Sequence, residues 1–250
     1  MVPGQALLVT GATGAIGFEI AAQAAEARVV VGVHGSRPET VEAAIVRLRA
    51  RAPEARLIGA PGDFRESGAI DRIVADFAAE AGRLDAVIHC GIVGTAKGKV
   101  TGPFAGTDTA AHGDHAAMVI GTFQALAFAA LPHLAKQGGA LITFASDAGR
   151  FAAPRQSIIG AAFGGLIAFV RNLAMETARD GVRVHCLSPS FVRDTPAFEA
   201  HAHRAGAAFD RAGLGLPTPA DIAPMALFLC GPGATKSTGQ VISINGGLNA

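Results

Sequence analysis

Three glycines near the start of the chain could bring its backbone close to a phosphate group. Gly11, Gly14 and Gly17 lie between a short apolar run and a stretch with helical character. Such glycines permit a tight turn, and the free N–H groups at the start of the following helix attract phosphate oxygens. A glycine triplet is informative only in this strand–turn–helix setting, which the chain provides. The pattern predicts a dinucleotide-binding turn.

A second group of side chains could transfer protons. Its members are Ser146, Asp147, His112, His115, His201 and His203. A histidine that faces the serine or the aspartate could act as general acid or base in an isomerase, a dehydratase or a cyclase. The ordinary alternatives stay open: a strand-end hydroxyl bonded to nearby backbone, a helix-capping or surface aspartate, and solvated imidazoles.

Other kinds of chemistry are excluded or disfavoured by composition. The chain has no tyrosine and no tryptophan, so no phenol can take part in its chemistry. Cys90, Cys186 and Cys230 are too few and too scattered for a disulfide framework or a zinc site. We therefore expect buried thiols, no bound metal and a cytoplasmic location. The opening residues also lack the basic region and cleavage site of a signal peptide.

The net charge of the chain indicates which classes of binding partner to expect. Twenty-one Lys and Arg residues stand against twenty Asp and Glu, for a net charge of +1. This balance gives no electrostatic footprint for nucleic acid or an anionic membrane, so we expect neither as a partner. Hydrophobic residues make up 50% of the chain and charged residues 16%, which excludes disorder.

Short apolar runs alternate with longer helical stretches along the whole chain. Predicted strands cover 5–10, 28–33, 57–59, 86–89, 140–145, 182–187 and 240–244, and predicted helices cover 15–27, 38–51, 66–81, 108–135, 155–179 and 220–229. This alternation predicts an α/β fold: a Rossmann-like, doubly wound parallel sheet of about seven strands with helices on both faces. We expect one domain over 1–250, with an irregular segment at about 190–219.

Several motifs together resemble those of the short-chain dehydrogenase/reductase family. The turn Thr10–Gly17 is similar to the family's Thr-Gly-x-x-x-Gly-x-Gly, and the segments 181–189 and 239–247 resemble its sixth- and seventh-strand regions. The resemblance extends over essentially the whole chain, and it implies that the irregular segment at about 190–219 closes over a substrate. It implies that Gly11, Thr13, Ile16 and Gly17 lie against the pyrophosphate of a bound dinucleotide, that Asp63 meets the adenine, and that Gly91 belongs to the same site.

The resemblance also bears on the choice between NAD and NADP. A site that prefers NAD needs a carboxylate at the end of the second strand, where we expect Val33. Ser36 and Arg37 follow, and a hydroxyl with a guanidinium suits a 2′-phosphate. This favours NADP if a cofactor binds, while Arg37 could equally be an exposed charge and the chain could bind no cofactor.

Three of the four catalytic positions of the family hold apolar residues here. The resemblance places Ile159 at the tyrosine, Phe163 at the lysine and Met118 at the asparagine, and only Ser146 is retained. Isoleucine and phenylalanine can neither donate a proton nor bond a ribose, so the family's usual reaction is expected to be absent.

Three functional hypotheses follow. The first is a catalytically degenerate oxidoreductase subunit that assembles with itself or with an active relative through the two long central helices and the last strand. The second is an enzyme of unorthodox mechanism whose apolar pocket holds a hydrophobic substrate between Met118, Ile159, Phe163 and Phe191. The third is a dinucleotide-sensing regulator without catalysis.

Overall fold

The computed structural model describes residues 1–91 and 98–249, except for the side chains of residues 201–205 and 207. The strands are β1 (Ala6–Thr10), β2 (Val30–Gly35), β3 (Leu57–Pro61), β4 (Ala86–His89), β5 (Ala140–Phe144), β6 (Arg183–Ser188) and β7 (Val241–Ser243). The helices are α1 (Ala15–Glu26), α2 (Pro38–Arg51), α3 (Ala69–Ala81), α4 (Ala110–Ala116), α5 (Thr122–Leu134), α6 (Ser157–Thr177), α7 (Pro196–Arg211) and α8 (Pro219–Cys230).

All seven strands form one parallel sheet in the order β3-β2-β1-β4-β5-β6-β7. The predicted doubly wound α/β fold is therefore confirmed. The strand order reverses between β1 and β4, and in such sheets ligands bind in the crevice outside the carboxyl ends of the strands.

Helices cover both faces of the sheet, and each face has its own apolar core. Leu8, Val87 and Leu141 pack on the face covered by α3, α5 and α6. Their neighbours in sequence point to the other face, toward α1, α2 and α8. Because strands buried on both sides need apolar residues at every position, the strands read as continuous apolar runs.

A π-helical turn, Ala117–Gly121, joins α4 to α5, so the predicted long helix is continuous but locally widened. This helix (Ala110–Leu134) and α6 with its following turn (Ser157–Asp180) are long and apolar enough to cross a membrane by length and composition alone. Each contributes several side chains to the core beside the sheet, which accounts for its apolar character.

The second strand extends further than predicted. It ends at Gly35 rather than Val33, because β2 pairs with β3 as far as Gly35 opposite Pro61. The position at the carboxyl end of this strand, where a carboxylate for NAD would lie, is thus Gly35 and not Val33.

The segment predicted to be irregular contains the 16-residue helix α7. Thr195 caps its start by accepting a hydrogen bond from the Phe198 N–H group, and Pro196 occupies its first turn. The prediction failed because the helix is amphipathic but has only two large apolar side chains, Phe198 and Phe209, among alanine and polar residues.

The sequence predicts that the apolar residues of α6 in part cover the family's active site and in part contact a neighbouring molecule. Ala162, Phe163, Leu166 and Val170 are all buried within the chain. Their burial against the sheet, rather than a neighbouring molecule, explains why they are apolar.

Candidate functional site

A cavity of about 780 Å³ opens at the carboxyl ends of the strands. It is bounded by the start of α1, the ends of β4, β5 and β6, the first half of α6, parts of α7 and the segment 248–249. Its position is the crevice where ligands bind in doubly wound folds, and its size suits a small molecule.

The four positions that the resemblance singles out all line this cavity. Ser146, Met118, Ile159 and Phe163 come from the end of β5, the π turn and α6. Phe163 is only 6% exposed, and Met118 and Ile159 are half-buried. The fold therefore brings the catalytic positions of the family together, but three of them present hydrocarbon or thioether groups to the cavity.

The Ser146 hydroxyl bonds to local backbone. It caps the short 3₁₀ turn Asp147–Gly149, and its Oγ accepts a hydrogen bond from the Ala148 N–H group at 3.3 Å. No described side chain bonds to it as a base would. Since a serine without an adjacent base is not a nucleophile, Ser146 alone does not support covalent catalysis.

The Asp147 side chain is buried and fully engaged in hydrogen bonds. It is 5% exposed, and its carboxylate accepts hydrogen bonds from Ser188 Oγ (2.9 Å), Asn245 Nδ2 (2.8 Å) and Asn249 Nδ2 (3.0 Å). The surface or helix-capping interpretation of this side chain is therefore wrong. Asp147 fastens the segment after β7 to the ends of β5 and β6, and so helps to form the cavity wall.

The histidines predicted as possible catalysts lie elsewhere. His112 Nε2 is 2.9 Å from Thr107 Oγ1, and His115 is buried in α4. Neither is among the described residues that line the cavity. The side chains of His201 and His203 lie outside the described part of the structure.

A different histidine, His89 at the end of β4, does line the cavity. Its Nδ1 is 2.7 Å from Thr10 Oγ1, and its ring is 6% exposed. Burial lowers its pKa to about 3, so the imidazole is neutral at physiological pH. The one signal for this residue in the sequence is that His89 stands where the family's usual Asn-Asn-Ala-Gly segment begins.

The glycine turn is required by the protein's own backbone. A Cβ at Gly11, where φ is +72°, would lie 2.8 Å from the Gly91 nitrogen, and a Cβ at Gly17 would overlap the Gly11 carbonyl oxygen. Gly91 thus lies against Gly11, as expected for residues of one site. Because the close packing of strand and helix already demands glycine at 11 and 17, these residues alone do not establish that a cofactor binds.

One departure from the family's glycine pattern was missed. The middle glycine of Thr-Gly-x-x-x-Gly-x-Gly corresponds to Ala15, and Gly14 lies one place earlier. Ala15 and Ile16 line the cavity at the start of α1, whose N-terminus has no side-chain cap. The helix thus offers N–H groups to a phosphate, although a methyl group stands where the family's backbone approaches the pyrophosphate most closely.

At the adenosine end, the candidate residues are at the surface or engaged with a neighbour. Asp63 forms an ion pair with Arg65, whose hydrogen bonds lower the pKa of that carboxyl to about 2. Ser36 and Arg37 are exposed just after β2. His34, in β2, accepts a hydrogen bond from the Gly11 N–H group at 3.2 Å and lies 3.0 Å from the Gly62 carbonyl oxygen.

The residues present therefore fit the phosphates of a dinucleotide better than its nicotinamide ribose. The uncapped start of α1 and the exposed Ser36 and Arg37 suit phosphates. At the far end, Ile159 and Phe163 offer no hydrogen bond to a nicotinamide ribose.

Comparisons with known proteins agree with this architecture. Residues 11–249 match the family model described as "Enoyl-(Acyl carrier protein) reductase". The chain is 28% identical to a "Putative ketoacyl reductase" of Streptomyces coelicolor, covering 96% of this chain and 95% of that protein. It is 30% identical to "Oxidoreductase asL5" of Sarocladium schorii, covering 98% and 96%.

Solved structures show the same fold. A short-chain dehydrogenase/reductase from Brucella melitensis superposes with a TM-score of 0.88 at 27% identity, covering all of this chain and 98% of the other. A short-chain type dehydrogenase/reductase from Mycobacterium ulcerans gives a TM-score of 0.90 at 24% identity, covering 99% and 90%. This chain belongs to the short-chain dehydrogenase/reductase family, whose members generally bind NAD(P).

Proposed function

We propose that this chain is a catalytically degenerate oxidoreductase subunit, one that keeps the ligand cavity of its family but not the groups that move the proton. The observation that carries the proposal is the pair Ile159 and Phe163. Both line the cavity at the positions of the family's tyrosine and lysine, and neither side chain can donate a proton or bond a ribose.

The titratable and hydroxyl groups among the described cavity residues do not replace the missing proton donor. Burial keeps His89 neutral, the Asp147 carboxylate accepts three hydrogen bonds, and the Ser146 hydroxyl bonds to backbone. The loss of the central members of a catalytic unit commonly costs several orders of magnitude in rate.

Assembly with a further copy or with an active relative is the second part of the proposal. Phe128 in α5 is 80% exposed and Met175 in α6 is 76% exposed, and Ala168 lies on the exposed side of α6. An exposed large apolar side chain on each of the two long helices is the observation that supports an interface there.

A bound NAD(P) is the third part, with NADP favoured over NAD. Ser36 and Arg37 are exposed where a 2′-phosphate would lie, and β2 ends in a glycine instead of a carboxylate. Calorimetric titration with NADPH and NADH tests this part. Arg37→Ala should weaken NADPH binding selectively, while Arg49→Ala, an exposed arginine at the far end of α2, should not. Equal affinities for both cofactors would contradict the preference.

The cavity itself favours one alternative, a stand-alone enzyme of unorthodox mechanism on a hydrophobic substrate. Its volume of about 780 Å³ and its phenylalanine, leucine and isoleucine lining suit such a molecule.

The two functions are separated by assays of NAD(P)H oxidation with a panel of ketones, done on the chain alone and on complexes isolated from the native source. A degenerate subunit is inactive alone and is recovered with an active relative. A stand-alone enzyme is recovered without one and converts a substrate.

A further inference from the structure

A row of polar side chains runs across three adjacent strands, and two of its three members, His89 and Thr143, line the cavity. Thr10 in β1 pairs in register with His89 in β4, and His89 pairs with Thr143 in β5. Residues in register on neighbouring parallel strands point to the same face of the sheet. Leu8, Val87 and Leu141, two positions earlier, all pack in the core beneath α5 and α6, so the polar row faces that side too.

The row lies in otherwise apolar surroundings. The Phe123 ring of α5 stacks on His89 with the ring centres 5.9 Å apart, and Phe163 and Leu166 of α6 line the same cavity. Hydrocarbon thus covers the row from the helix side. A polar atom placed there must find its partners within the row or in the cavity.

The Thr143 hydroxyl has no hydrogen-bond partner within the described part of the chain. The residue is 1% exposed, and its Oγ1 makes no hydrogen bond there. About nine in ten buried polar groups in proteins do have one, so an orphaned hydroxyl calls for an explanation. By contrast, the buried hydroxyl of Thr177 donates to the carbonyl groups of Leu173 and Val182, at 2.9 and 3.1 Å.

His89 supplies a second polar group next to this hydroxyl. Its Nδ1 is engaged by Thr10 Oγ1, so any contact of this ring with a ligand comes through Nε2. Both His89 and Thr143 line the cavity. They lie on the strand floor and are distinct from Ser146, whose hydroxyl caps the turn after β5.

We propose that Thr143 and His89 form a hydrogen-bonding subsite at the floor of the cavity, which receives a neutral hydroxyl or carbonyl oxygen of an otherwise apolar ligand. The proposal rests on the proposed function in one respect, namely that the cavity holds a ligand without reducing it. Both groups are uncharged, and the walls around them are mainly hydrocarbon. The subsite therefore selects a neutral polar atom over a carboxylate or a phosphate.

The test compares three bicyclic probes of nearly equal size: decalin, the ketone decalone and the alcohol decalol. Binding to the full chain is measured by calorimetry or ligand-observed NMR. The wild-type chain should bind decalone and decalol about tenfold more tightly than decalin, the factor that one neutral hydrogen bond gives. Thr143→Val, which keeps the side-chain shape but removes one of the two polar groups of the subsite, should reduce this preference.

Thermal unfolding of the same variants supplies an independent readout. Because the Thr143 hydroxyl makes no hydrogen bond to any described residue, Thr143→Val should leave the midpoint unchanged or raise it. The matched control Thr177→Val removes a hydroxyl that makes two hydrogen bonds, and should lower the midpoint without altering the preference among the probes.

Three outcomes would overturn the proposal: no saturable binding of decalone to the wild-type chain, equal affinities for the three probes, or an unchanged preference in Thr143→Val. The last would mean that a buried water, and not a ligand, satisfies the hydroxyl. Turnover of decalone with NADPH would instead contradict the proposed function, so the two failures are distinguishable.

Discussion

Phe163 fills the family's lysine position with a ring that is 6% exposed and belongs to the core beneath α6. Phe163→Lys would place an ammonium group in these surroundings without a carboxylate prepared for it. We expect it to lower the free energy of unfolding by about 3 kcal/mol or more, measured by urea denaturation.

Ile159→Tyr is the matched variant, because Ile159 is half-buried at the cavity wall and a phenol there can reach open space. It should cost less than about 1.5 kcal/mol. The double variant should show at most weak ketone reduction, since Met118 still replaces the asparagine. A stable and active double variant would contradict this account, because it would show that two substitutions are enough to restore the family's reaction.

His34 provides a prediction on acid stability. Burial lowers its pKa from 6.5 to about 4, so between these values the unfolded chain binds a proton that the folded chain does not. Stability from this group is present above pH 6.5 and is lost as the pH falls toward 4. The expected loss between pH 7 and pH 5 is about 2 kcal/mol.

His34→Gln, which keeps a hydrogen-bond donor and an acceptor but does not titrate, isolates this effect. Urea denaturation at the two pH values should show a smaller loss for the variant than for the wild type, by about 2 kcal/mol. The same loss in both proteins would mean that His34 does not control acid stability. His89, whose pKa burial lowers to about 3, should still contribute in both.

Sequence reasoning identified part of the site at the residue scale. The missing tyrosine, lysine and asparagine are visible because neighbouring motifs align without gaps, and the structure puts all four positions around one cavity. The subsite at His89 and Thr143 could not be predicted. It depends on strand register and on which hydroxyl lacks a partner, and neither is encoded locally.

At the scale of elements, the glycine turn between β1 and α1 makes a sharp prediction. A Cβ at Gly17 would overlap the Gly11 carbonyl oxygen, whereas a Cβ at Gly14 would lie 3.5 Å from the same atom, an ordinary contact. Gly17→Ala should therefore lower the free energy of unfolding by about 2 kcal/mol or more, and Gly14→Ala by less than about 1 kcal/mol. Urea denaturation of the two variants measures the difference.

Equal stabilities would mean that the turn adapts, and that Gly17 serves a ligand rather than the fold. With the predicted result, loss of cofactor binding in a Gly17 variant reflects damage to the turn and says nothing about a phosphate contact.

Local sequence patterns predicted some ends of helices and strands correctly and others not. Helix α2 was predicted at its observed bounds because Pro38 starts it and apolar residues recur at helical spacing. The end of β2 was misplaced, because only pairing with β3 reveals that His34 and Gly35 belong to the strand. Helix α7 was missed because its apolar face is made mostly of alanine, with only Phe198 and Phe209 as large apolar residues.

For the whole molecule, the fold was predictable because seven apolar runs alternate with helical segments, and this alternation admits few architectures. The surface through which chains associate was harder to predict from the sequence. The apolar side chains of α6 that suggested an interface are buried within the chain, and the exposed apolar groups, such as Phe128 and Met175, are scattered. Exposure depends on the rotation of each helix against the sheet, which sequence spacing sets only approximately.

The assembly proposal predicts that Phe128→Arg disrupts an oligomer that buries more than about 1,000 Å². Arginine at a buried interface position is costly, while this side chain is 80% exposed in the single chain, so the fold should survive. Sedimentation velocity gives the oligomeric state, and circular dichroism reports on the fold. Val46→Arg, at a residue 62% exposed on α2, is the matched control and should leave the assembly intact.

A chain that is already monomeric and is recovered without a related partner would contradict the subunit proposal. The stand-alone enzyme on a hydrophobic substrate would then be the better account of the cavity.

The central claim is that the isolated chain cannot carry out the hydride and proton transfer of its family. The most direct measurement is a single-turnover experiment with the purified chain in excess over deuterium-labelled NADPH and a ketone, read by mass spectrometry of the product alcohol. The account predicts no deuterium in the alcohol above the level without protein, because Ile159 and Phe163 provide neither proton donor nor ribose anchor. Stereospecific deuterium transfer at about 1 per second, within the ordinary range of enzymes, would contradict it.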